Sequence, residues 1–304
     1  MTNGLHKSKI DYIAESECII NRPGYVLNIV TGCKHYMTDI CRVPCYAEYL
    51  VNHGRLKGSV AYPYGFEPTF HPERVVAIGG KPKLIFLNDM GDVGGDWEWA
   101  SVTRRLDKQA FFSSQDIASE MVRFATLNPQ HILLLLTKNP SFYGLAEWPA
   151  NVWCGVTVTN PDEYGRIGIL SRADCKHHWI SFEPWLTDEH PIDELMPDTW
   201  LVIGGLSGKV KRPVSEATLD WLMDKTVQAK RFTKLNAVPL HDMILAMPRE
   251  YPESCCMANV TEFKLRVNII RPPRTWGTQT ELINALLTRY ESGETVEGIK
   301  EVKE

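Results

Sequence analysis

The sequence predicts an α/β fold, built as a partial (β/α)6-type barrel that is similar to a TIM barrel. Short apolar runs recur between residues 25 and 236, and several are apolar almost throughout, which is typical of strands covered on both faces. Helix-like stretches separate these runs and favour parallel strands joined by helical crossovers. Roughly six or seven such units fit, fewer than in a full barrel of about 250 residues. An open, doubly wound sheet is the alternative.

The strands are expected where the chain is apolar for five to seven residues. In chain order these runs are Tyr25–Val30, Lys83–Leu87, His131–Thr137, Val152–Val158, His178–Phe182, Trp200–Gly204 and, more weakly, Arg231–Leu235. Most of them end in small or polar residues. In a parallel barrel the loops that follow the strands form the active site, so these ends are where functional residues are expected.

Three amphipathic stretches are expected to form crossover helices. Gln115–Leu127 carries its apolar residues at helical spacing and ends at Asn128-Pro129. Pro161–Ala173 begins with Pro and acidic residues, as helices do. Ser215–Ala229 starts with a candidate N-cap serine. Each follows a predicted strand, which supports the parallel arrangement.

The chain is expected to divide into a barrel with insertions, residues 1–236, and a C-terminal extension that packs on it, residues 237–304. Within the barrel, residues 52–82 and 91–112 are rich in Gly, Pro and aromatic residues and are interpreted as ordered loops above the strand ends. The extension breaks the alternating pattern. It contains the Cys255-Cys256 pair, read as buried thiols or an auxiliary metal site, and a final helix-like stretch.

Composition and charge exclude several classes of protein. Lys and Arg number 33 against 37 Asp and Glu, a net charge of -4, which argues against a general electrostatic coat for DNA but leaves a local basic patch open. No run of 18 apolar residues predicts a membrane span. The first residues lack the apolar core of a signal peptide, so a cytoplasmic, reducing location is expected. The eight cysteines are then expected to be thiols or metal ligands.

A cluster of cysteines directly follows the first predicted strand. Three fall within 13 residues, with seven residues between the first two and three between the last two: Cys33, Cys41 and Cys45. Three thiolates form a soft-ligand site. Structural zinc would need a fourth ligand, which His35 or His53 can supply. An iron–sulfur cluster held by three thiolates leaves one iron open for a small molecule. Buried cysteines without a metal are the third reading, and the position at a strand end favours chemistry.

With an aromatic residue beside the last cysteine, this loop resembles that of the radical S-adenosylmethionine (radical SAM) superfamily. Other motifs between about residues 25 and 236 are similar to a phage-associated family of radical-SAM-like proteins. They occur in the same order: Thr31-Gly32-Cys33, Cys45-Tyr46-Ala47-Glu48, Asn88–Asp92, Leu136-Thr137-Lys138, Asn151–Val158, Ser181–Pro184, Trp200–Gly208 and Lys234. The spacing more distantly resembles the spore photoproduct lyases, which act on DNA.

Three features depart from the family pattern. The gap before Cys41 and the gap between Cys41 and Cys45 are each one residue longer than in the family, giving a spacing of seven then three where three then two is commonest in the superfamily. Leu206 stands where the family usually has Glu, and Leu235 stands where Gln commonly follows the late Lys. The last two positions imply a diverged specificity for substrate or a member with altered chemistry.

The resemblance implies two cofactors. Cys33, Cys41 and Cys45 would hold three irons of a [4Fe-4S] cluster, and the fourth iron would bind S-adenosylmethionine (SAM). An external electron donor would reduce the cluster, and the radical derived from SAM would abstract hydrogen from a substrate. A small molecule or nucleotide is expected as substrate, with a nucleic acid base in a phage modification pathway as a further candidate.

Residues at the other strand ends are assigned by the resemblance and by their chemistry. The expected cofactor-binding residues are Asn88, Asp89, Asp92, Lys138, Thr157, Glu183, Gly204, Gly205 and Ser207. The expected catalytic residues are Glu183 and Lys234. Polar turns, surface lysines and ordinary glycine turns are the structural alternatives for these positions. Trp97 and Trp99 are read as core residues or as a stacking surface for bases.

Two other functions stay open from the sequence. A zinc-stabilised, non-catalytic binding protein on a barrel scaffold accounts for the cysteines without SAM. A protein that holds a cluster and binds SAM without turnover accounts for the same motifs. Metal and sulfide content separate the first from the radical enzyme, and SAM cleavage separates the second.

Overall fold

The computed structural model describes residues 4–38, 40–41, 43–101, 110–192, 199–207, 211–224, 229–238 and 247–255. The strands in chain order are β1 (His6–Lys7), β2 (Gly24–Leu27), β3 (Val30–Thr31), β4 (Thr69–Phe70), β5 (Leu84–Leu87), β6 (Trp99–Ser101), β7 (Phe111–Phe112), β8 (Ile132–Thr137), β9 (Val152–Thr157), β10 (His177–Phe182), β11 (Trp200–Ile203) and β12 (Lys230–Thr233). The α-helices are α1 (Asp11–Ala14), α2 (Ser16–Ile20), α3 (Tyr46–Asn52), α4 (Ser114–Leu127), α5 (Gly165–Leu170) and α6 (Glu216–Met223).

The main sheet has eight strands in the order β1-β2-β5-β8-β9-β10-β11-β12. β1 is antiparallel to β2, and every later pair is parallel. The predicted α/β class with parallel strands is therefore confirmed. Neighbours in the sheet follow the order of the chain, without the reversal that defines a doubly wound sheet.

Six of the seven predicted strands match β5 and β8 to β12 to within two residues at either end. The first predicted strand is wrong in its length, because the run Tyr25–Val30 is divided. β2 ends at Leu27, and Val30 begins β3, which belongs to a different sheet. The backbone amides of Ile29 and Val30 donate to the side chain of Asn88 instead of continuing the main sheet.

One face of the main sheet is covered by α4, α5 and α6. The buried strand residues on this face alternate with those on the other and include Leu87, Leu133, Leu135, Val156, Ile180 and Ile203. α4 begins with a capping box, in which Ser113 and Asp116 each bond the other's backbone amide. The predicted helix at 115–127 is confirmed. The predicted helices at 161–173 and 215–229 are shorter, since α5 follows a turn of 3-10 helix and α6 ends at Met223.

The other face of the sheet is filled by large aromatic side chains around Tyr12 of α1. The Tyr12 ring centroid lies 6.2 Å from Phe86 of β5, 6.0 Å from Trp179 of β10, 5.7 Å from Trp200 of β11 and 6.1 Å from Phe232 of β12. The N-terminal helix therefore supplies the centre of this core. Strands at well-separated positions of the sheet contact one ring.

Contacts from the chain after β12 complete this aromatic core. Arg249 forms an ion pair with Glu15, and the Tyr251 hydroxyl donates to the backbone oxygen of Tyr12. Phe232 forms an isolated bridge with Arg249 at the outer edge of β12. The first part of the predicted extension thus packs on the sheet. Cys256 and the predicted final helix lie outside the described residues, as does the side chain of Cys255.

The two predicted loop regions contribute a second sheet, which the sequence analysis did not anticipate. Its order is β3-β4-β6-β7, with β4 drawn from residues 52–82 and β6 and β7 from residues 91–112. Trp99 on β6 is fully buried, so it is a core residue. Within the described residues, none of the helices has the length and hydropathy needed to cross a membrane.

Candidate functional site

The cysteine loop begins at a glycine that the surrounding backbone holds closely. Gly32 has a φ of 74°, and its amide donates to Met90 O at 2.9 Å. A Cβ at this position would lie 2.3 Å from the Glu67 carbonyl oxygen, closer than atoms can approach. Gly32 therefore lets the chain leave β3 and pass between the 66–67 and 90–91 turns.

Cys33 is buried in a small apolar cluster at the start of this loop. Its amide donates to Phe66 O at 3.2 Å, and its sulfur accepts from the His35 amide at 3.2 Å. Burial raises the pKa of the Cys33 thiol to about 12, and the charge of Asp92 acts in the same direction. A thiol in this setting keeps its proton at neutral pH unless a cation replaces it.

The other two cysteines of the loop are half-buried. Cys45 lies at the N-cap position of α3, and the pKa of Cys41 is raised, mainly by burial. The thiolate form of Cys45 adds to that shift. In the described part of the chain, no group of three or more His, Cys, Asp or Glu side chains is arranged to hold a metal ion.

Lys138, the residue after β8, is influenced by the charges of all three cysteines of the loop. Burial alone would lower the pKa of its ammonium group. The pKa is instead raised, because the charges of four anionic groups outweigh burial: Asp92, Cys41, Cys33 and Cys45. All three sulfurs of the loop therefore lie within electrostatic reach of one cation at the carboxyl end of β8.

The Asp92 carboxylate fixes the backbone around Lys138. Oδ1 accepts from Thr137 Oγ1 at 2.5 Å and from the Gly94 amide at 2.9 Å, and Oδ2 accepts from the Lys138 amide at 2.9 Å. His35 Nε2 lies 3.8 Å from the same carboxylate. Through these bonds, Asp92 positions the end of β8 beside the cysteine loop.

The side chains of the turn after β5 also form hydrogen bonds within the protein. Asn88, at φ 64°, accepts from the Ile29 and Val30 amides with its side-chain oxygen, at 2.8 and 2.9 Å. Asp89 Oδ1 accepts from Asn28 Nδ2 at 2.8 Å. Burial raises the pKa of Asp89, and the bond from Asn28 partly opposes this effect. The hydrogen bonds to Ile29 and Val30 give Asn88 a structural role in the fold. The Asp89 carboxylate is half-buried at the end of the strand.

The two predicted catalytic residues form an ion pair with each other. Lys234, after β12, bonds Glu183, after β10, and their side chains are 14% and 23% exposed. The ammonium also lies 5.8 Å from the centre of the Tyr12 ring. A Cβ on Gly204, after β11, would lie 3.2 Å from both side chains. Three strand ends thus share one charged pair, with glycine leaving space beside it.

The remaining predicted residues lie at the same ends with different surroundings. A Cβ on Gly205 would lie 2.3 Å from the Arg212 carbonyl oxygen, so backbone packing explains that glycine. Ser207 is exposed. Thr157 is buried at the end of β9, and its carbonyl oxygen accepts from Arg166 Nη1 at 2.9 Å.

Two residues at this site were missed by the sequence analysis. Arg166 pairs with Glu163 at 2.8 Å, and its charge acts on Cys41 and on His35. Its position in the predicted helix at 161–173 suggested a crossover element only. Tyr46 was noted as the aromatic residue beside the last cysteine but given no role.

Tyr46 connects the cysteine loop to the other strand ends. Its hydroxyl donates to the Asp89 carbonyl oxygen at 2.9 Å, and 60% of the residue is exposed. Burial nevertheless raises its pKa well above the usual range, with smaller effects from Asp89, Cys45 and Glu183. The Tyr46 hydroxyl therefore joins the start of α3 to the turn after β5.

Comparison with known families gives one match. A family model described as Protein of unknown function (DUF5131) matches residues 18–233, well over half of the chain. The chain therefore belongs to this family. The matched region contains the cysteine loop and ends one residue before Lys234. Searches of curated proteins and of solved structures returned no match.

Proposed function

We propose that this member of the DUF5131 family is a radical SAM enzyme, with its site at the carboxyl ends of the parallel strands. The observation that carries the proposal is that the charges of all three cysteines of one loop, together with that of Asp92, raise the pKa of a single ammonium group, Lys138, at that edge of the sheet. A structural zinc loop has no need of a half-buried lysine near its ligands. A site that binds an anionic group beside its metal does.

The contacts of Tyr12 support a sheet curved into a partial barrel. β5 and β12 are five strand spacings apart in the sheet order, a distance of roughly 24 Å if the sheet were flat. Phe86 and Phe232 on these strands lie 6.2 and 6.1 Å from the same ring. Curvature around Tyr12 would bring the carboxyl ends of the strands closer together, as the proposed enzyme requires.

The donor set fits a [4Fe-4S] cluster in its chemistry. Cys33, Cys41 and Cys45 would hold it, since thiolates are its usual ligands. Burial makes the bare Cys33 thiolate unfavourable, and the positive charges of iron would compensate for that cost. Lys138 and Arg166 place two further positive charges within electrostatic reach of the Cys41 sulfur. When bound, the cluster and SAM would supply one-electron chemistry that generates a carbon radical.

The protein groups then have separable tasks. Asp92 holds the Lys138 backbone in place through its 2.9 Å bond, and the ammonium group lies within electrostatic reach of the cysteine loop. The Glu183–Lys234 pair presents a carboxylate and an ammonium at three strand ends, where they can bind the polar groups of SAM or substrate. Tyr46 connects the cysteine loop to the turn after β5. The aromatic core around Tyr12 packs beside Lys234 and would limit the access of water to that ion pair.

The substrate is proposed to be a small molecule or nucleotide, with a nucleic acid base as the larger alternative. Lys234 and Lys138 offer cations for phosphate or carboxylate groups. The net charge of -4 favours a small anionic substrate over an extended nucleic acid, which would need a basic surface. A soluble electron donor in a reducing compartment would complete the system.

Anaerobic reconstitution with iron and sulfide tests this proposal. We expect about four irons and four sulfides per chain, with visible absorption that bleaches on reduction. Addition of SAM to the reduced protein is expected to release 5'-deoxyadenosine and methionine. A protein that takes up no sulfide, or that holds a cluster but never cleaves SAM, would contradict the proposal.

One observation favours a zinc-stabilised binding protein as a second candidate. The His35 side chain is buried next to Cys33, and its Nε2 makes no hydrogen bond within the described residues. Burial lowers the pKa of His35, so the imidazole is neutral and able to bind a metal. A tight single zinc with no sulfide, lost in the His35→Ala variant, would establish this candidate.

A further inference from the structure

A side-chain to backbone hydrogen bond joins the N-terminal helix to the residue after Lys234. Asp11 is the first residue of α1, and its Oδ2 accepts from the Leu235 amide at 2.7 Å. These two residues are 224 apart in the chain. The next residue of the helix, Tyr12, has its ring centre 5.8 Å from the Lys234 ammonium. Asp11 therefore holds the backbone immediately after Lys234, and its neighbour contacts the lysine side chain.

The residue before Lys234 is tied to the same helix through an arginine. Glu15 is the C-cap of α1 and forms an ion pair with Arg249, whose Nε donates to Glu15 Oε2 at 3.0 Å. Nη1 of this guanidinium donates to the Thr233 carbonyl oxygen at 2.5 Å. Asp11 and Glu15 are four residues apart, so they lie on one side of the helix. Two carboxylates on that side thus fix the backbone before and after Lys234.

The position of β12 in the sheet explains why these contacts matter. Within the described residues β12 is the last strand in the sheet order, and the Lys234 amide donates to the Ile203 carbonyl oxygen of β11 at 2.8 Å. The outer edge of such a strand has no further strand to bond. Asp11 and Arg249 bond backbone groups on either side of Lys234, in addition to its own bond with β11.

The neighbouring strand end gives the lysine side chain little support. A lysine stem is long and flexible, so the position of its ammonium depends on where its backbone is held. Gly204 stands beside the stem, where a Cβ would lie 3.2 Å from Lys234 Cδ. Glycine supplies no side chain to pack there. The bond from Lys234 to Glu183 therefore depends on a fixed backbone at the end of β12.

We propose that Asp11 and Glu15 are positioning residues that hold Lys234 in place, so that its ammonium stays on Glu183. Neither carboxylate has to touch a ligand for this purpose. The charged pair of the candidate site then depends on a helix near the start of the chain. This inference rests on the proposed function for what the pair binds, whereas the positioning itself is measurable in protein without cofactors.

Acylation of lysines tests the positioning. Full-length protein without cofactors is treated with trace acetic anhydride at mildly alkaline pH, digested and analysed by mass spectrometry. Exposed Lys176 is the internal reference, and buried Lys83, directly before β5, reports on the integrity of the fold. We expect Asp11→Ala to raise the labelling rate of Lys234 about fivefold, the effect of losing one partly exposed ion pair. Labelling of Lys83 should not change.

Two variants of acidic residues serve as controls. Asp11→Asn keeps an oxygen that accepts from the same backbone amide, so it should keep the labelling rate of Lys234 within about twofold of that in the unaltered protein. Glu17→Ala is the matched control from the adjoining helix. Its ion pair with Lys7, at 2.9 Å, is exposed and does not involve β12, so Lys234 should label at the unaltered rate.

A second variant covers the case in which Asp11→Ala does not fold. Arg249→Lys keeps a cation beside Glu15 but lacks the planar fork that bonds Glu15 and the Thr233 carbonyl oxygen together. We expect it to raise the labelling rate of Lys234 about threefold.

Unchanged labelling of Lys234 in Asp11→Ala and Arg249→Lys would overturn the inference. So would a rise that Lys83 shares, or one that Asp11→Asn shows in full, because either result would mean that the carboxylate does not act through the backbone bond. A reconstituted protein that cleaves no SAM would contradict the proposed function and would leave the labelling result standing.

Discussion

Cysteine stands in opposite settings in two regions of the molecule. One is the cysteine loop at the carboxyl ends of the strands, and the other is Cys154 and Cys175, near the amino ends of β9 and β10. Cys33 is enclosed by apolar groups and faces the Asp92 carboxylate, so its pKa is raised to about 12. The pKa of Cys175 is lowered, mainly by Cys154, with His178 acting in the same direction. In the first setting, the Cys33 thiol would lose its proton near neutral pH only to a metal ion. In the second setting, the lowered pKa of Cys175 favours the thiolate without a metal. Surroundings, not residue identity, shift the pKa values of the thiols of this protein in opposite directions.

The largest expected effect comes from removing a thiol on each side of this comparison. Cys33→Ser should abolish iron and sulfide uptake and SAM cleavage, because three ligands are the minimum for the proposed cluster. Cys175→Ser should leave iron and sulfide content unchanged. Metal and sulfide analysis of the reconstituted variants checks both expectations. Equal iron loss in the two variants would erase the distinction between the two sets.

The pH dependence of stability offers the next largest effect. The folded-state pKa of Cys33 is raised from 9.0 to about 12. Its contribution to stability is therefore complete below pH 9.0 and is lost as pH rises toward 12. We expect the metal-free protein to lose about 2 kcal/mol from this group between pH 9 and 10.5. Urea unfolding of Cys33→Ala, which lacks the group, should show a correspondingly flatter dependence over this interval.

A substitution at Lys138 tests whether its positive charge contributes to the candidate site. Lys138→Met keeps much of the side-chain volume but removes the ammonium group whose pKa the three cysteines and Asp92 raise. We expect SAM cleavage to fall about tenfold with the cluster still assembled, since one charged contact is worth roughly 1–2 kcal/mol. The control is Lys176→Met, an exposed lysine beside Cys175. Unchanged turnover and unchanged reduction potential in Lys138→Met would remove Lys138 from the site.

The smallest expected effect concerns His178. This residue is a smaller cause of the lowered pKa of Cys175 than Cys154 is. His178→Ala should therefore slow alkylation of Cys175 at pH 7 by about threefold, and the difference should vanish at high pH where the thiol ionises without help. His177→Ala, altering the adjacent residue, serves as the control. A rate that is independent of His178 at every pH would leave Cys154 as the sole cause.

The main sheet was predictable from the sequence because its strands are apolar throughout. The runs at 83–87 and 131–137 have no helical spacing and end in polar residues, so their strand character and their ends could be located to within one residue. The second sheet was not predictable. β4 and β7 have two residues each, too few to show any periodicity.

The candidate site was predictable by position and only partly by role. Glu183 and Lys234 were both placed at strand ends, but their pairing joins residues 51 apart in the chain, and no local pattern encodes it. Asn88 was expected to bind a cofactor, and its oxygen instead accepts two backbone amides, a role that depends on where β2 turns away. Arg166 lies within a predicted helix, where its direction depends on the adjoining turn.

The position of Tyr12 also constrains how the chain reaches this fold. Its ring packs against Phe232, and its carbonyl oxygen accepts from Tyr251, 239 residues later in the sequence. During synthesis the ribosome produces almost the whole described chain before these partners exist. The packing around the N-terminal helix can therefore be completed only after the last strand and the segment that follows it have emerged. Such long-range closure predicts slow folding and a need for chaperones while translation is under way.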